Sequence, residues 1–348
     1  MAEPRAFVSI IVPCRNERRH IAGLVESLVA NDYPADRREM LIVDGMSDDG
    51  TREVLDQLAG RHEELRVVDN PDRTTPAALN RGIEAARGEI IVRADAHALY
   101  PPEYVRRLVE ALEATGAGNV GGRKRFVPGG PGAVAAAIAL ALGHPFGSGG
   151  ARYRQPTSAV IPVDTVPFGC FPRRVFDRVG LFDAELIRNQ DDEFNARLLR
   201  AGEQVLLVPG VQVDFFARTS LRQLWRMHYQ YGLFKPLVVR KLGGLPTLRQ
   251  LGPAGFLLAL LMAAVGAILT PAVGRPLLAV LAGAYLLASL LVAGSTAVRS
   301  GRASAWLMPL AFGAMHFGYA CGYLAGLAPA LLRPAGGRTR LRDMPLTR

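Results

Sequence analysis

Four polar clusters in this 348-residue chain hold residue types that could do chemistry. Pro13-Cys14-Arg15-Asn16-Glu17, the stretch Asp44 to Thr51, and Asp95-Ala96-His97 each follow a short apolar run, and Asn189-Gln190-Asp191-Asp192-Glu193 opens a helical pattern. A carboxylate at a strand end, such as Asp44, is a fixed hydrogen-bond acceptor for a polar ligand. The Asp95 oxygen and His97 nitrogen form a donor pair that suits Mn²⁺ at least as well as Mg²⁺, which prefers oxygen ligands. A carboxylate of the 191–193 group can take a proton as a general base. Acidic residues also favour a helix N-terminus through the macrodipole, a role sufficient by itself for Asp192 and Glu193. Asp49 reads equally well as a helix cap.

The elements that must position these groups follow from patterning. Phe7 to Val12, Met40 to Val43, Leu65 to Val68 and Glu89 to Arg93 read as buried strands. Helical spacing fills Glu17–Ala30, Thr51–Ala59, Pro76–Ala86 and Pro102–Ala114 between and after them. Strand alternating with helix implies a mostly parallel sheet covered on both faces, an α/β fold. Such sheets bind ligands at the carboxyl ends of their strands, which puts the first three clusters on one edge. Further on, Val160–Phe171 and Val205–Val213 read as strands flanking a helix at Asp191–Ala201. The Pro128–Gly150 insert has an apolar centre, Ala133–Leu142, shorter than the roughly 20 residues a bilayer needs, so it reads as a core or an interfacial helix.

Hydrophobic residues make up 49% of the chain, and the excess is concentrated between Ala254 and Leu332. Three segments there are long enough to span a membrane and carry no charge: Pro253–Val273, Pro276–Val298 and Ala305–Leu332. Three spans would leave the Arg-rich tail on the far side, against the positive-inside tendency. The third also carries Trp306, His316 and Tyr319, so a re-entrant or paired helix is the other reading. After Ser220, Arg222, Trp225, Arg226, His228, Tyr229 and Lys235 mix cations with aromatics, as an interfacial helix does.

The net charge of +10 raises nucleic acid as a partner, but much of it flanks the apolar segments, at Arg240, Lys241, Arg249, Arg275, Arg299, Arg302 and Arg333 onward. That placement fits an anionic membrane surface and excludes a nucleic-acid reading. Cys14, Cys170 and Cys321 are too scattered for a disulfide framework or a metal knuckle, and read as small buried residues in a reducing compartment. The N-terminus runs into a strand without the apolar core of a signal peptide, so the first domain is expected in the cytosol. The expected organisation is a domain at 1–219, amphipathic interfacial helices at 220–250, about three transmembrane helices at 251–333 and a basic tail at 334–348.

Val8-Ser9-Ile10-Ile11-Val12-Pro13-Cys14-Arg15-Asn16-Glu17 resembles the opening of family 2 glycosyltransferases, and Val43-Asp44-Gly45-Met46-Ser47-Asp48-Asp49-Gly50-Thr51 resembles the family's second-strand motif. The resemblance runs from Phe7 to about Phe234. Ala94-Asp95-Ala96-His97-Ala98 makes it most similar to the bacterial succinoglycan-type exopolysaccharide glucosyltransferases. It implies a GT-A fold, Rossmann-like, to which the apolar segments add C-terminal transmembrane helices. It also implies inverting transfer of a hexose, glucose from UDP-glucose, and the apolar segments add the expectation of a lipid-borne acceptor, a polyprenyl-diphosphate-linked sugar at the bacterial inner membrane. It assigns the donor nucleotide to Pro13, Arg15, Glu17, Asp44 and Asp95, and Mn²⁺ or Mg²⁺ to Asp95 and His97, which stand where most members have Asp-x-Asp. Asp191 takes the catalytic position, with Asp192 as its rival, and Gln190 replaces the usual Glu. Gly169 and Cys170 fall in a small-residue loop near the acceptor. Gln223 and Arg226 partly match the Gln-x-x-Arg-Trp motif of processive synthases, with Met227 in place of Trp. Other readings are a processive polysaccharide synthase, which needs more spans, a polyprenyl-phosphate glycosyltransferase, and an inactive assembly scaffold, which the Asp95, His97 and Asp191 set opposes.

Overall fold

β-Branched runs and helical spacings become regular elements in the computed structural model, which describes residues 6–244 and 248–331. In chain order these are β1 (Val8–Cys14), α1 (Ile21–Val29), β2 (Arg38–Asp44), α2 (Thr51–Ala59), β3 (Leu65–Asp69), α3 (Thr75–Ala85), β4 (Ile90–Arg93), β5 (Ala98–Leu99), α4 (Tyr104–Thr115) and β6 (Asn119–Val127). There follow α5 (Ala133–Gly143), α6 (Pro145–Ser148), β7 (Ile161–Pro162), β8 (Cys170–Pro172), α7 (Arg174–Val179), α8 (Gln190–Arg200) and β9 (Val205–Phe216). The C-terminal part is helical: α9 (Leu221–Leu242), α10 (Gly252–Leu269), α11 (Pro271–Ser300) and α12 (Met308–Leu331). The chain divides into two compact units, one holding residues up to 125 and 152–215, the other 126–151 and the chain from 216 on.

The first unit is built on one mixed sheet of order β3-β2-β1-β4-β8-β6-β9-β5, with β7 also on β9. β3, β2, β1 and β4 run parallel. Alternate residues of β1 feed opposite faces, as the two-residue period of a strand requires. Ile10 and Val12 pack with Leu24 and Leu28 of α1 and Leu108 of α4, whereas Ile11 packs with Leu79 and Ile83 of α3 and Phe194 of α8. This is the α/β GT-A arrangement, but beyond β4 the pairing becomes antiparallel: β8 runs against β4 and β6, and β5 and β7 against β9. The expected strand at 160–171 is only the two short strands β7 and β8. Between them Val163, Val166 and Phe168 are buried, and Phe168 takes a left-handed turn (φ 54°) that no continuous strand accommodates.

In the second unit α5 is a core helix. Its Ile138, Ala141 and Leu142 cluster with Leu224, Met227, Met308 and Phe312. Two helices are long and apolar enough to cross a membrane, Leu248–Leu269 with 22 residues and Pro271–Ser300 with 30, and only 11% of each apolar window is buried. The expected third span at 305–332 is not among them. Met308, Ala311, Phe312, Met315 and Ala320 are buried, and α12 packs along α9. Small residues allow this approach: a Cβ on Gly322 would stand 2.0 Å from the Tyr229 carbonyl oxygen, and one on Gly326 2.3 Å from that of Leu233. The count among the described residues is therefore two candidate spans instead of about three. Joined at Thr270 alone, α10 and α11 form a hairpin that returns Arg299 and Arg302 to the side of Arg249. The expected tail at 334–348 and Arg333 lie outside the described residues.

Candidate functional site

The turns after β1 and β2 are laced together by their own side chains. Asn16 and Met46 both adopt positive φ, 54° and 55°, which bends each turn back on itself. The Asn16 amide donates to Asp48 Oδ1 at 2.9 Å and its oxygen accepts from the Asp48 N–H at 3.0 Å. Ser47 Oγ accepts from the Asn16 N–H at 2.8 Å and donates to Asp44 Oδ1 at 2.5 Å. Asp44 is only 1% exposed, accepts also from the Ser47 N–H at 3.2 Å, and has Arg52 3.8 Å away. It therefore organises the turn from beneath. The Glu17 N–H donates to Thr51 Oγ1 at 2.8 Å. Asp49 accepts from the Thr51 N–H at 3.0 Å just before α2, but the N-cap of that helix is Gly50, with no side-chain cap bond, so Asp49 closes a local turn and is not the cap expected of it. Burial works against ionisation of Asp49, but bonds from Thr51 and Arg18 outweigh it and hold its pKa below the ordinary value. Arg15 lies over Gly45, where a Cβ would stand 3.1 Å from its chain, and its buried Nε has no hydrogen-bond partner. Pro13 is half-buried at the end of the same strand.

At the end of β4 lies a residue that sequence reasoning missed. Arg93, with a side chain 7% exposed, donates through Nη2 to Asp95 Oδ1 at 3.1 Å and through Nη1 to Asp191 Oδ1. One guanidinium thus joins a strand-end carboxylate to the first turn of α8. The available signal was spacing: Arg93 and Asp95 stand two apart where a buried strand ends. Burial opposes ionisation of Asp95, but the Arg93 charge, with His97 and Lys124 beyond it, holds its pKa below the ordinary value. The Asp95 N–H donates to Tyr100 Oη at 2.7 Å. His97 directs Nδ1 at Glu17 Oε1, 3.3 Å away, and its ring meets Phe215 edge-on at 4.5 Å. Lys124 Nζ sits 3.2 Å from the centre of the Phe215 ring.

No group of three or more His, Cys, Asp or Glu that could hold a metal occurs among the described residues. Asp95 and His97 are two donors. A carboxylate has about four lone-pair sites, so the Arg93 bond leaves Asp95 able to coordinate. Mg²⁺-type ions are commonly held by one or two carboxylates with phosphate oxygens and water supplying the rest, so this pair fits an ion completed by a phosphorylated ligand.

Asn189, left-handed at φ 61°, starts α8. Gln190 is buried and Asp191 has its side chain 33% exposed, with Asp192 half-buried beside it. Glu193 is buried against Arg197 at 2.6 Å, an ion pair within the helix. Gly169 and Cys170 do not line an open face. A Cβ on Gly169 would lie 2.3 Å from Asn119 Oδ1, and its carbonyl accepts the Arg93 N–H at 2.9 Å. Cys170 is fully buried and its thiol pKa is pushed up by that burial. Packing within the sheet accounts for both. Gln223 and Arg226 belong to the second unit. Gln223 Oε1 accepts from Thr219 Oγ1 at 3.1 Å at the start of α9, and Arg226 is exposed.

Residues 9–180 match the family model described as Glycosyl transferase family 2. The succinoglycan biosynthesis protein ExoA of Rhizobium meliloti is 34% identical over 247 residues, 70% of this chain and 73% of that protein. A dolichyl N-acetyl-alpha-D-glucosaminyl phosphate 3-beta-D-2,3-diacetamido-2,3-dideoxy-beta-D-glucuronosyltransferase of Methanococcus voltae is 29% identical over 73% of this chain and 80% of its own. In fold, the mannosyltransferase PcManGT from Pyrobaculum calidifontis, solved with GDP-Man and Mn²⁺, matches with a TM-score of 0.55 at 21% identity, over 90% of this chain and 86% of that one.

Proposed function

The chain belongs to glycosyl transferase family 2, and from that premise we propose that it moves a hexosyl group, glucose from UDP-glucose, onto a lipid-linked saccharide at a bacterial inner membrane. The donor nucleotide lies against Pro13, Arg15, Glu17 and the turn organised by Asp44, where the buried Arg15 Nε is an unused donor. Its diphosphate faces Asp95. Bound at Asp95 and His97, a divalent cation supplies Lewis-acid neutralisation of the leaving diphosphate. Asp191 acts as general base. It takes the proton of the acceptor hydroxyl as that oxygen bonds to the anomeric carbon, and the bond from that carbon to the diphosphate breaks with its electron pair leaving on the phosphate oxygen. Attack opposite the leaving group inverts the anomeric centre.

The observation that carries this reading is the Arg93 bridge, which holds a donor-side carboxylate and the candidate base one guanidinium apart. Glu193, committed to Arg197, is a poor candidate for the base. The lipid-linked acceptor is supported by the two candidate spans and by the dolichyl phosphate-linked sugar in the name of the Methanococcus relative. The exopolysaccharide context is supported by the succinoglycan relative. Two candidate spans among the described residues speak against a processive synthase, which needs enough helices for a channel. The test is nucleoside diphosphate release from a nucleotide-sugar panel, by membranes carrying the protein, with and without polyprenyl-diphosphate-linked sugars. Acceptor-dependent release of UDP is expected; release that ignores the acceptor would refute the transfer reading.

A further inference from the structure

Arg93 and Asp191 are held in very different ways. Arg93 sits on β4, between β1 and β8 in the middle of the sheet. Its N–H donates to the Gly169 carbonyl at 2.9 Å, and the next N–H, of Ala94, donates to Ile11 O at 2.9 Å. Backbone bonds on both sides thus fix its Cα. Its side chain is 7% exposed and its Nε is buried without a partner, so both of the hydrogen bonds described for its side chain are spent on the two carboxylates. Asp191 instead occupies the first turn of a helix entered through a left-handed residue, and its side chain is 33% exposed. An aspartate in that setting has several staggered rotamers open to it. Catalysis tolerates such freedom badly, since a misplacement of about 1 Å can cost about 100-fold in rate.

We propose that Arg93 is a positioning residue: it holds the Asp191 carboxylate at a fixed place relative to Asp95, so that base and donor stay in register. The inference rests on the reading of Asp191 as base. Arginine suits the task because its rigid fork makes two directed bonds at once, whereas lysine offers a point charge on a flexible stem. Arg93 lies off the proton's path, which runs from acceptor hydroxyl to the Asp191 carboxylate.

The test uses the full chain in detergent with UDP-glucose, Mn²⁺ and a polyprenyl-diphosphate-linked sugar. Arg93→Lys should lower kcat by about 100-fold while the donor KM moves less than about threefold. Arg93→Ala should lose more, and added methylguanidine should restore at least about a tenth of the wild-type kcat, but none of it in Arg93→Ala combined with Asp191→Asn. Apart from turnover, thermal unfolding should show coupling: Asp191→Asn should shift Tm less in an Arg93→Met background than in the wild type. Wild-type kcat in Arg93→Lys would overturn the proposal, as would a large rise in donor KM at unchanged kcat, which would make Arg93 a donor ligand. Additive shifts in Tm would overturn it too. If Asp191→Asn keeps wild-type turnover, the base assignment itself fails and the positioning role with it. If Asp191→Asn is inactive while Arg93→Lys is fully active, the positioning inference alone fails.

Discussion

Replacing Glu39 by Gln should destabilise the first unit at neutral pH and progressively less in acid. Glu39 lies in β2 with no exposure, yet its carboxylate is fully engaged. Oε1 accepts from Ser9 Oγ at 2.6 Å and from the Arg87 N–H at 2.7 Å; Oε2 faces Arg87 Nε at 3.0 Å and Arg66 Nη1 at 3.4 Å. An amide in its place can accept at only one end, and the other presents N–H groups to donors. Breaking a buried pair costs about 3–5 kcal/mol. Arg87 and Arg66 are themselves 65% and 48% exposed, so solvent screens part of that, and about 2–3 kcal/mol is a fair expectation. For a unit of this size that corresponds to a Tm lower by about 5–8 °C. Burial pushes the Glu39 pKa up, but the bonds from Ser9 and Arg87 outweigh it and leave the folded pKa below the ordinary value. A depressed carboxylate stabilises above its unfolded pKa of about 4.3, and the contribution is lost as pH falls through the folded pKa. Circular dichroism melts at pH 7 and pH 3.5 should therefore show a wide gap between wild type and variant that narrows in acid. A Tm shift under about 2 °C at pH 7, or an equal gap at both pH values, would refute the reasoning.

Other predictions follow from the site and from the second unit. Asp95→Ala should cut transfer by at least about 100-fold and chelation of divalent cations should abolish it, whereas His97→Asp should keep activity and shift the preference from Mn²⁺ towards Mg²⁺, checked by metal titration of UDP release. Gly322→Leu should destabilise the α9–α12 pair by more than about 3 kcal/mol, because its Cβ would collide with the Tyr229 carbonyl, read as a loss of folded protein on gel filtration in detergent. The hairpin of α10 and α11 predicts that a cysteine at Arg275 is labelled from the side opposite to cysteines at Arg249 and Arg302; labelling of all three from one side would exclude two spans.

Much of this was legible from residue patterns, and the failures have physical reasons. β1 to β4 and their helices could be read because buried parallel strands are continuous β-branched runs and the helices alternate with them. The direction of β8, β6 and β9 could not, since pairing is decided by partners far along the chain. Met308, Phe312 and Met315 are as apolar as residues facing lipid, so composition made α12 look like a span. The telling signal was the four-residue spacing of Gly318, Gly322 and Gly326, which marks a helix surface closely approached by another backbone. Gly169 was read as a small residue near a ligand, but small residues are equally what a crowded sheet needs, and Asn119 and Phe171 fill the space. Asp44 ends β2, the strand end expected of it, whereas Asp49 stands one residue before the Gly50 N-cap of α2 and closes a local turn instead of capping the helix. Arg93 was read only as the last residue of the strand Glu89–Arg93, when its spacing from Asp95 was the stronger clue.

The most direct test of the central claim is acceptor-dependent nucleoside diphosphate release by wild type and by Asp191→Asn, from UDP-glucose with Mn²⁺ and a polyprenyl-diphosphate-linked sugar. The account predicts release by the wild type only with acceptor present, and a loss of at least about 100-fold in the variant, in the range that general-base catalysis contributes. Wild-type release in Asp191→Asn would contradict the assignment of the base and move attention to Asp192.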